Sequence, residues 1–156
     1  MRTGKRQRGF GYLMVLFAIA ALGVLAATAG QVWHTSAQRA RETELLFVGQ
    51  QYRQALDSYY ASSVGQVKQY PAQLEDLLDD HRSQVTLRHL RRLYADPMTG
   101  RVDWVLVTAG ERIVGLHSRS QLSPFKRHFE GVDEAFNGAD SYAQWVFRAG
   151  TTGGDP

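Results

Sequence analysis

The chain has 156 residues, is 44% hydrophobic and 21% charged, and contains no cysteine. That composition allows one compact domain and little else, and it excludes disulfides, thiolate catalysis and cysteine-bound zinc. The formal charge is +3, yet Arg2, Lys5, Arg6 and Arg8 alone supply more than that, so the remainder is slightly acidic and lacks the basic body that a nucleic-acid binder needs to neutralise phosphates.

From Phe10 to Ala29 the chain reads FGYLMVLFAIAALGVLAATA, without a charge. At about 1.5 Å per helical residue this run reaches ~30 Å, the thickness of bilayer hydrocarbon. A soluble helix would keep a polar stripe, whereas only Tyr12 and Thr28 interrupt this one. A membrane span is therefore expected over residues 10–33, with Trp33 in the place of an interfacial aromatic. Basic residues precede the span and no acid does, while Arg39, Arg41, Glu42 and Glu44 beyond it mix both signs. The positive-inside bias then puts the N-terminus in the cytoplasm and everything after Trp33 outside the inner membrane, in the periplasm of a cell with two membranes. A cleaved secretory signal is the competing reading, with Ala26-Ala27-Thr28-Ala29 as its small-residue site. The helical pattern that continues past this point argues against it.

No proline occurs before Tyr70, and apolar residues recur at Leu45, Val48, Tyr52, Leu56 and Tyr59. Spacings of three and four put them on one helical face, so a single helix is expected from Phe10 to about Tyr60, with Gly23, Gly30 and Gly49 as its weak points. It should end among Ala61-Ser62-Ser63-Val64-Gly65. Pro71 announces a second helix whose buried edge is Leu74, Leu77 and Leu78 and whose carboxylates Glu75, Asp76, Asp79 and Asp80 form a solvated face. Leu87, Leu90 and Leu93 predict one further helical turn, with Arg88, Arg91 and Arg92 in solvent. Asp96-Pro97-Met98-Thr99-Gly100 has the residues of a tight turn. Val102–Thr108 and Arg112–Ser118 then form an antiparallel hairpin around Ala109-Gly110-Glu111. Phe125, Phe129 and Phe136 are expected to pin the long connection over 119–140, and Tyr142–Arg148 to be a third strand. Residues 149–156, rich in glycine and polar, read as a disordered tail. The fold class is α+β: a long N-terminal helix, half transmembrane and half amphipathic, packed on a small antiparallel sheet of about three strands.

These residues resemble the type IV pilin-like proteins, and in particular the pseudopilins of type II secretion systems. Lys5-Arg6-Gln7-Arg8-Gly9-Phe10 looks like a basic prepilin leader ending in glycine before phenylalanine. The apolar helix, Tyr59-Tyr60, Tyr70-Pro71, the turn from Leu93 to Gly100 followed by Trp104, and the aromatic segment Tyr142–Phe147 continue the likeness. The resemblance implies a leader over 1–9, a transmembrane half-helix over 10–33 and a periplasmic pilin-like α+β domain over 34–148. It implies cleavage between Gly9 and Phe10 and N-methylation of Phe10 by a prepilin peptidase. It further implies insertion from the inner membrane into a helical filament of pilins or pseudopilins, driven by an assembly platform and a cytoplasmic ATPase, for protein export. One position departs. The fifth mature residue, a glutamate in most of the family, is Met14 here, which cannot accept a hydrogen bond from a neighbouring N-terminal amine as a carboxylate does. That departure points to a minor or specialised subunit. The major pseudopilin often holds calcium in a loop before its last strand, and Asp133, Glu134 and Asp140 lie in the corresponding stretch. Their spacing is not that of a defined calcium loop, and no metal or cofactor is assigned.

No catalytic constellation is legible. His34, His81, His89, His117 and His128 form no ligand pair of the H-x-x-x-H kind, and no nucleophile elbow or phosphate loop occurs. Ser118 and Ser120 beside His117 fail as a nucleophile and base, because adjacent strand positions face opposite ways. The expected function is therefore structural and non-enzymatic, in contact with lipid and protein partners and not with nucleic acid. The alternative is an unprocessed single-pass protein whose periplasmic domain binds a partner in an envelope complex.

Overall fold

The computed structural model describes residues 8–63 and 67–150, and of residues 8–10 and 24–34 the backbone alone. Contacts divide the chain into two compact units, Met1–Arg39 and Ala40–Pro156. Helix α1 (Arg8–Ala61) matches the extent expected from the absence of proline and ends where the serines begin. Its last turn closes with Ser62 N–H donating to the Ser58 carbonyl at 3.0 Å. The leader residues 1–7, Val64 and Gly65 of the expected helix end, and all of the expected tail except Ala149 and Gly150 lie outside the described residues.

In the second unit Leu45, Val48, Tyr52, Leu56 and Tyr59 are all buried, as their spacing predicts. Three strands follow, β1 (Val105–Ala109), β2 (Arg112–His117) and β3 (Phe147–Arg148), antiparallel in that order. The class is α+β with a small three-stranded sheet. Ala109 pairs with Arg112, so the hairpin loop is Gly110-Glu111 alone. Gly110 takes φ +61° there and among the described residues no non-glycine residue has positive φ, the pattern of a two-residue type II′ connection. The register slips between Val107 and Thr108 so that Val114 is the extra residue of a bulge. As the central strand, β2 buries Ile113 through Leu116 in succession. At Gly115 an added Cβ would stand 2.8 Å from the Phe147 carbonyl oxygen, so the tight β2–β3 approach requires glycine.

Gly49 turns out to be a seat for an aromatic ring and not merely a weak point in α1. A Cβ placed on it would lie 2.3 Å from Cε1 of Phe147, a ring that is itself fully buried. Gly49→Ala is expected to destabilise the fold by about 1–3 kcal/mol through overpacking, overriding the ~1 kcal/mol that alanine gains over glycine inside a helix. Urea unfolding of the full chain in detergent micelles checks this, and an unchanged or raised midpoint would refute it.

Four expected elements need correction. The helix after Pro71 is only a 3₁₀ turn, Leu74–Leu77. Asp76 caps it by accepting from Ala72 and Gln73 N–H at 3.1 and 3.2 Å, and the turn cannot extend because the Leu77 carbonyl is taken by His89 and Leu90 N–H. No helical turn forms over Leu87–Leu93, since Leu87 and Asp80 exchange backbone hydrogen bonds in an isolated β-bridge. The third strand shrinks to two residues. Tyr142 and Ala143 N–H donate to the Leu122 and Ser120 carbonyls, which folds Tyr142–Gln144 into a 3₁₀ turn. The first strand starts at Val105, three residues later than expected, because Asp103 is engaged with Thr99 and Arg101 at the preceding turn.

That turn forms as its residues require. Asp96 is fully buried, its Oδ1 accepts from Met98 N–H at 2.8 Å, its carbonyl accepts from Gly100 N–H at 2.7 Å, and Gly100 adopts φ +74°. Tyr52 on α1 holds the preceding segment by accepting from Tyr94 N–H and donating to the Tyr94 carbonyl, at 2.9 and 3.1 Å. Burial pushes its phenol up to about 12. A second aromatic cluster joins Trp145 to Phe129, Phe136 and Tyr142 with ring centroids 5.0 to 5.6 Å apart. Phe129 and Phe136 are buried and do pin the long connection, whereas Phe125 is 41% exposed.

Candidate functional site

The described residues of the first unit offer one chemical feature. Residues 11–23 of α1 are exposed on every side, among them Leu13, Met14 and Phe17 at 65%, 66% and 81%. An apolar surface wrapped fully around a helix is matched by lipid or by other apolar helices and not by water. Met14, the departure position, is part of this surface, while Gly9 and Phe10 belong to α1 and have no described side-chain environment. Among the described residues no helix is long and apolar enough to cross a membrane; the stretch 24–34, inside the expected span, lies outside the residues whose side chains are described.

In the second unit the charged residues that matter are buried ones. Glu42 is 6% exposed and its carboxylate accepts three hydrogen bonds: from Phe125 N–H and Lys126 N–H at 2.8 and 3.0 Å, and from the Tyr142 hydroxyl at 2.8 Å. Arg53 is 1% exposed and its Nη1 donates to Asp133 Oδ1 at 2.9 Å and Gln50 Oε1 at 2.8 Å. Together these ties fasten the connection over 119–140 to α1. Asp133 is thus bound to a guanidinium, Glu134 and Asp140 are exposed, and among the described residues no group of three or more histidines or carboxylates is placed to hold a metal ion.

The third polar cluster lies where α1 ends. Asp80, expected in solvent, is 3% exposed. Its carboxylate takes Arg82 Nε and Nη2 at 2.8 and 2.7 Å and the Arg82 backbone N–H at 3.0 Å. These hydrogen bonds hold the acid well below the usual carboxylate range against the opposing effect of burial. Arg82 in turn stacks 3.5 Å over the Tyr59 ring and donates to the Tyr59 carbonyl at 2.7 Å. His89 completes the cluster, with Nε2 at 3.1 Å from Asp80 Oδ2 and Nδ1 at 2.8 Å from Ser58 Oγ. His117 and Ser118 lie apart from it. Ser118 is buried and donates to Asp96 Oδ2 at 2.7 Å, and the His117 ring is turned to the Ser118 carbonyl.

Sequence reasoning passed over Glu42, Arg53, Asp80 and His89. For the first two a signal existed: positions 42, 45, 49, 53 and 56 step by three and four along the buried stripe, so a charged residue at 42 or 53 has to find a partner. No such signal marks Asp80 and His89, which meet only after the 80–87 bridge forms. No family model, curated protein or solved structure matches the chain.

Proposed function

We propose that the chain is a pilin-like structural subunit, anchored in the inner membrane through residues 10–33 with its α+β domain in the periplasm, and that it joins a type II secretion or type IV pilus-like filament as a minor or specialised member. The observation that carries this reading is the all-round exposure of apolar side chains over residues 11–23 of a helix that is preceded in sequence by Arg2, Lys5, Arg6 and Arg8. A surface of this kind gains nothing from water and is stabilised by lipid or by close packing with like helices. The small antiparallel sheet is the part such a subunit would display outward, with the apolar stripe of α1 buried beneath the domain. The buried charges Glu42, Arg53 and Asp80 tie segments of the domain to one another, as the folded head of a structural subunit requires.

Met14 favours a second reading, in which the protein keeps its N-terminus and acts as a single-pass envelope protein with a periplasmic partner. Intact-mass and N-terminal peptide analysis of the protein from its native envelope separates the two. The subunit reading requires a chain that starts at N-methyl-Phe10 and keeps its mass as a precursor when the prepilin peptidase is deleted. A chain that begins at Met1 or Thr3 in both strains supports the second. A product lacking its first thirty residues and free in the periplasm would end both.

A further inference from the structure

Ser58, His89 and Asp80 form a continuous hydrogen-bonded series whose distances are those of a nucleophile, its base and the group that orients the base. The Ser58 Oγ to His89 Nδ1 distance is 2.8 Å, and His89 Nε2 to Asp80 Oδ2 is 3.1 Å. Each member is held by independent contacts. The Asp80 carboxylate is fixed by three Arg82 donors. The His89 side chain is 3% exposed, wedged edge-on against Tyr59 at 5.4 Å, and its backbone N–H is tied to the Leu77 carbonyl at 2.9 Å. Ser58 sits in the last turn of α1 and is exposed. An ionised carboxylate at Nε2 selects the tautomer with its proton there, which leaves the Nδ1 lone pair as the acceptor for the serine hydroxyl. The ring nitrogens exchange roles relative to the common triad, but the logic of an activated serine is the same.

We propose that Ser58 is a nucleophilic serine, activated by His89 and positioned by Asp80, that takes an acyl group from activated carboxylic esters at the surface of the domain. This goes beyond the structural role proposed above and does not depend on how the N-terminus is processed. In the step, the Oγ–acyl carbon bond forms and the ester C–O bond breaks. The Oγ proton passes to His89 Nδ1 and leaves with the departing alkoxide. Solvent water, deprotonated by the same nitrogen, then breaks the acyl–Oγ bond and returns the hydroxyl. Charged groups around this corner are Asp80 within the series, its partner Arg82, and Asp76, Asp79 and His81 along the cleft beside Tyr59.

The test uses the full chain in detergent micelles and a fluorophosphonate probe, in which Oγ–P forms as P–F breaks and the proton leaves with fluoride. Peptide mapping should find the adduct on Ser58 and none in Ser58→Ala. Labelling should be lost when the wild-type chain is unfolded in urea, because it requires the folded Ser58–His89 pair. His89→Gln, which keeps a hydrogen-bonding side chain, should slow labelling by about 10²-fold or more. An adduct elsewhere, equal labelling of the urea-unfolded chain, or an equal rate in a His89→Gln protein with wild-type unfolding midpoint would overturn the proposal. If that variant does not fold, the site of the adduct and the loss of labelling on unfolding decide alone.

Discussion

Replacing Glu42 by alanine is expected to destabilise the second unit by about 2–4 kcal/mol and to free the connection that follows β2. The physical reason is the number of donors converging on one carboxylate. Phe125 N–H, Lys126 N–H and the Tyr142 hydroxyl all end on Glu42, and each buried donor left without a partner costs about 1–3 kcal/mol. Phe125 and Lys126 are themselves exposed, so their amides recover part of that loss from water, whereas Tyr142 is fully buried and does not. Glu42→Gln should fall between wild type and Glu42→Ala, since one amide oxygen still accepts but the amide NH2 faces further donors. Two readouts check this. Chemical unfolding gives the stability, and limited trypsin digestion at Lys126 and Arg127, both exposed, reports local release of the connection. Cleavage no faster in Glu42→Ala than in wild type would show that the aromatic cluster around Trp145 holds the connection without the carboxylate.

Asp80 is the second position where a large effect is expected. Asp80→Asn removes a charge to which Arg82 commits Nε, Nη2 and its backbone N–H, and breaking a buried pair from one side costs about 3–5 kcal/mol. Arg82 keeps 28% of its side chain in solvent, which lowers the expected loss to about 2–3 kcal/mol. The pH dependence follows from the direction of the shift. Arg82 first, and burial in opposition, leave the folded carboxyl more acidic than the unfolded one. Its stabilisation is therefore complete above the unfolded value of about 3.9 and is lost as pH falls below it toward the folded value. Unfolding free energies measured from pH 7 down to pH 2 should fall for wild type below about pH 4, with a shallower fall in Asp80→Asn. Parallel curves for the two proteins would mean that other carboxylates govern the acid limb.

Both positions mark the limit of what local pattern can reveal. The buried face of α1 from Leu45 to Tyr59 is written in its three-and-four spacing, and the hairpin in the β-branched run on either side of Gly110, because each depends on neighbours within a few residues. The turn at Asp96–Gly100 was legible for the same reason. The short helices after Pro71 and at Leu87–Leu93 were misjudged because leucine spacing alone does not show where the Leu77 carbonyl and the Asp80–Leu87 bridge direct the backbone hydrogen bonds. By its neighbours alone Gly49 is a flaw in a helix; its reason is Phe147, almost a hundred residues later in the chain, which rests on it.

The sequence by itself determined a charge-free apolar segment behind a basic start, one long helix with an apolar stripe, a hairpin with its glycine, and the absence of any cysteine chemistry. Only the tertiary structure decided that Glu42 and Arg53 are internal fasteners, that Asp133 answers a guanidinium, and that Ser58, His89 and Asp80 stand in line. Periodicity is a property of adjacent turns and survives in the sequence, whereas a buried charge finds its partner by chain closure over long separations, for which no repeat spacing exists.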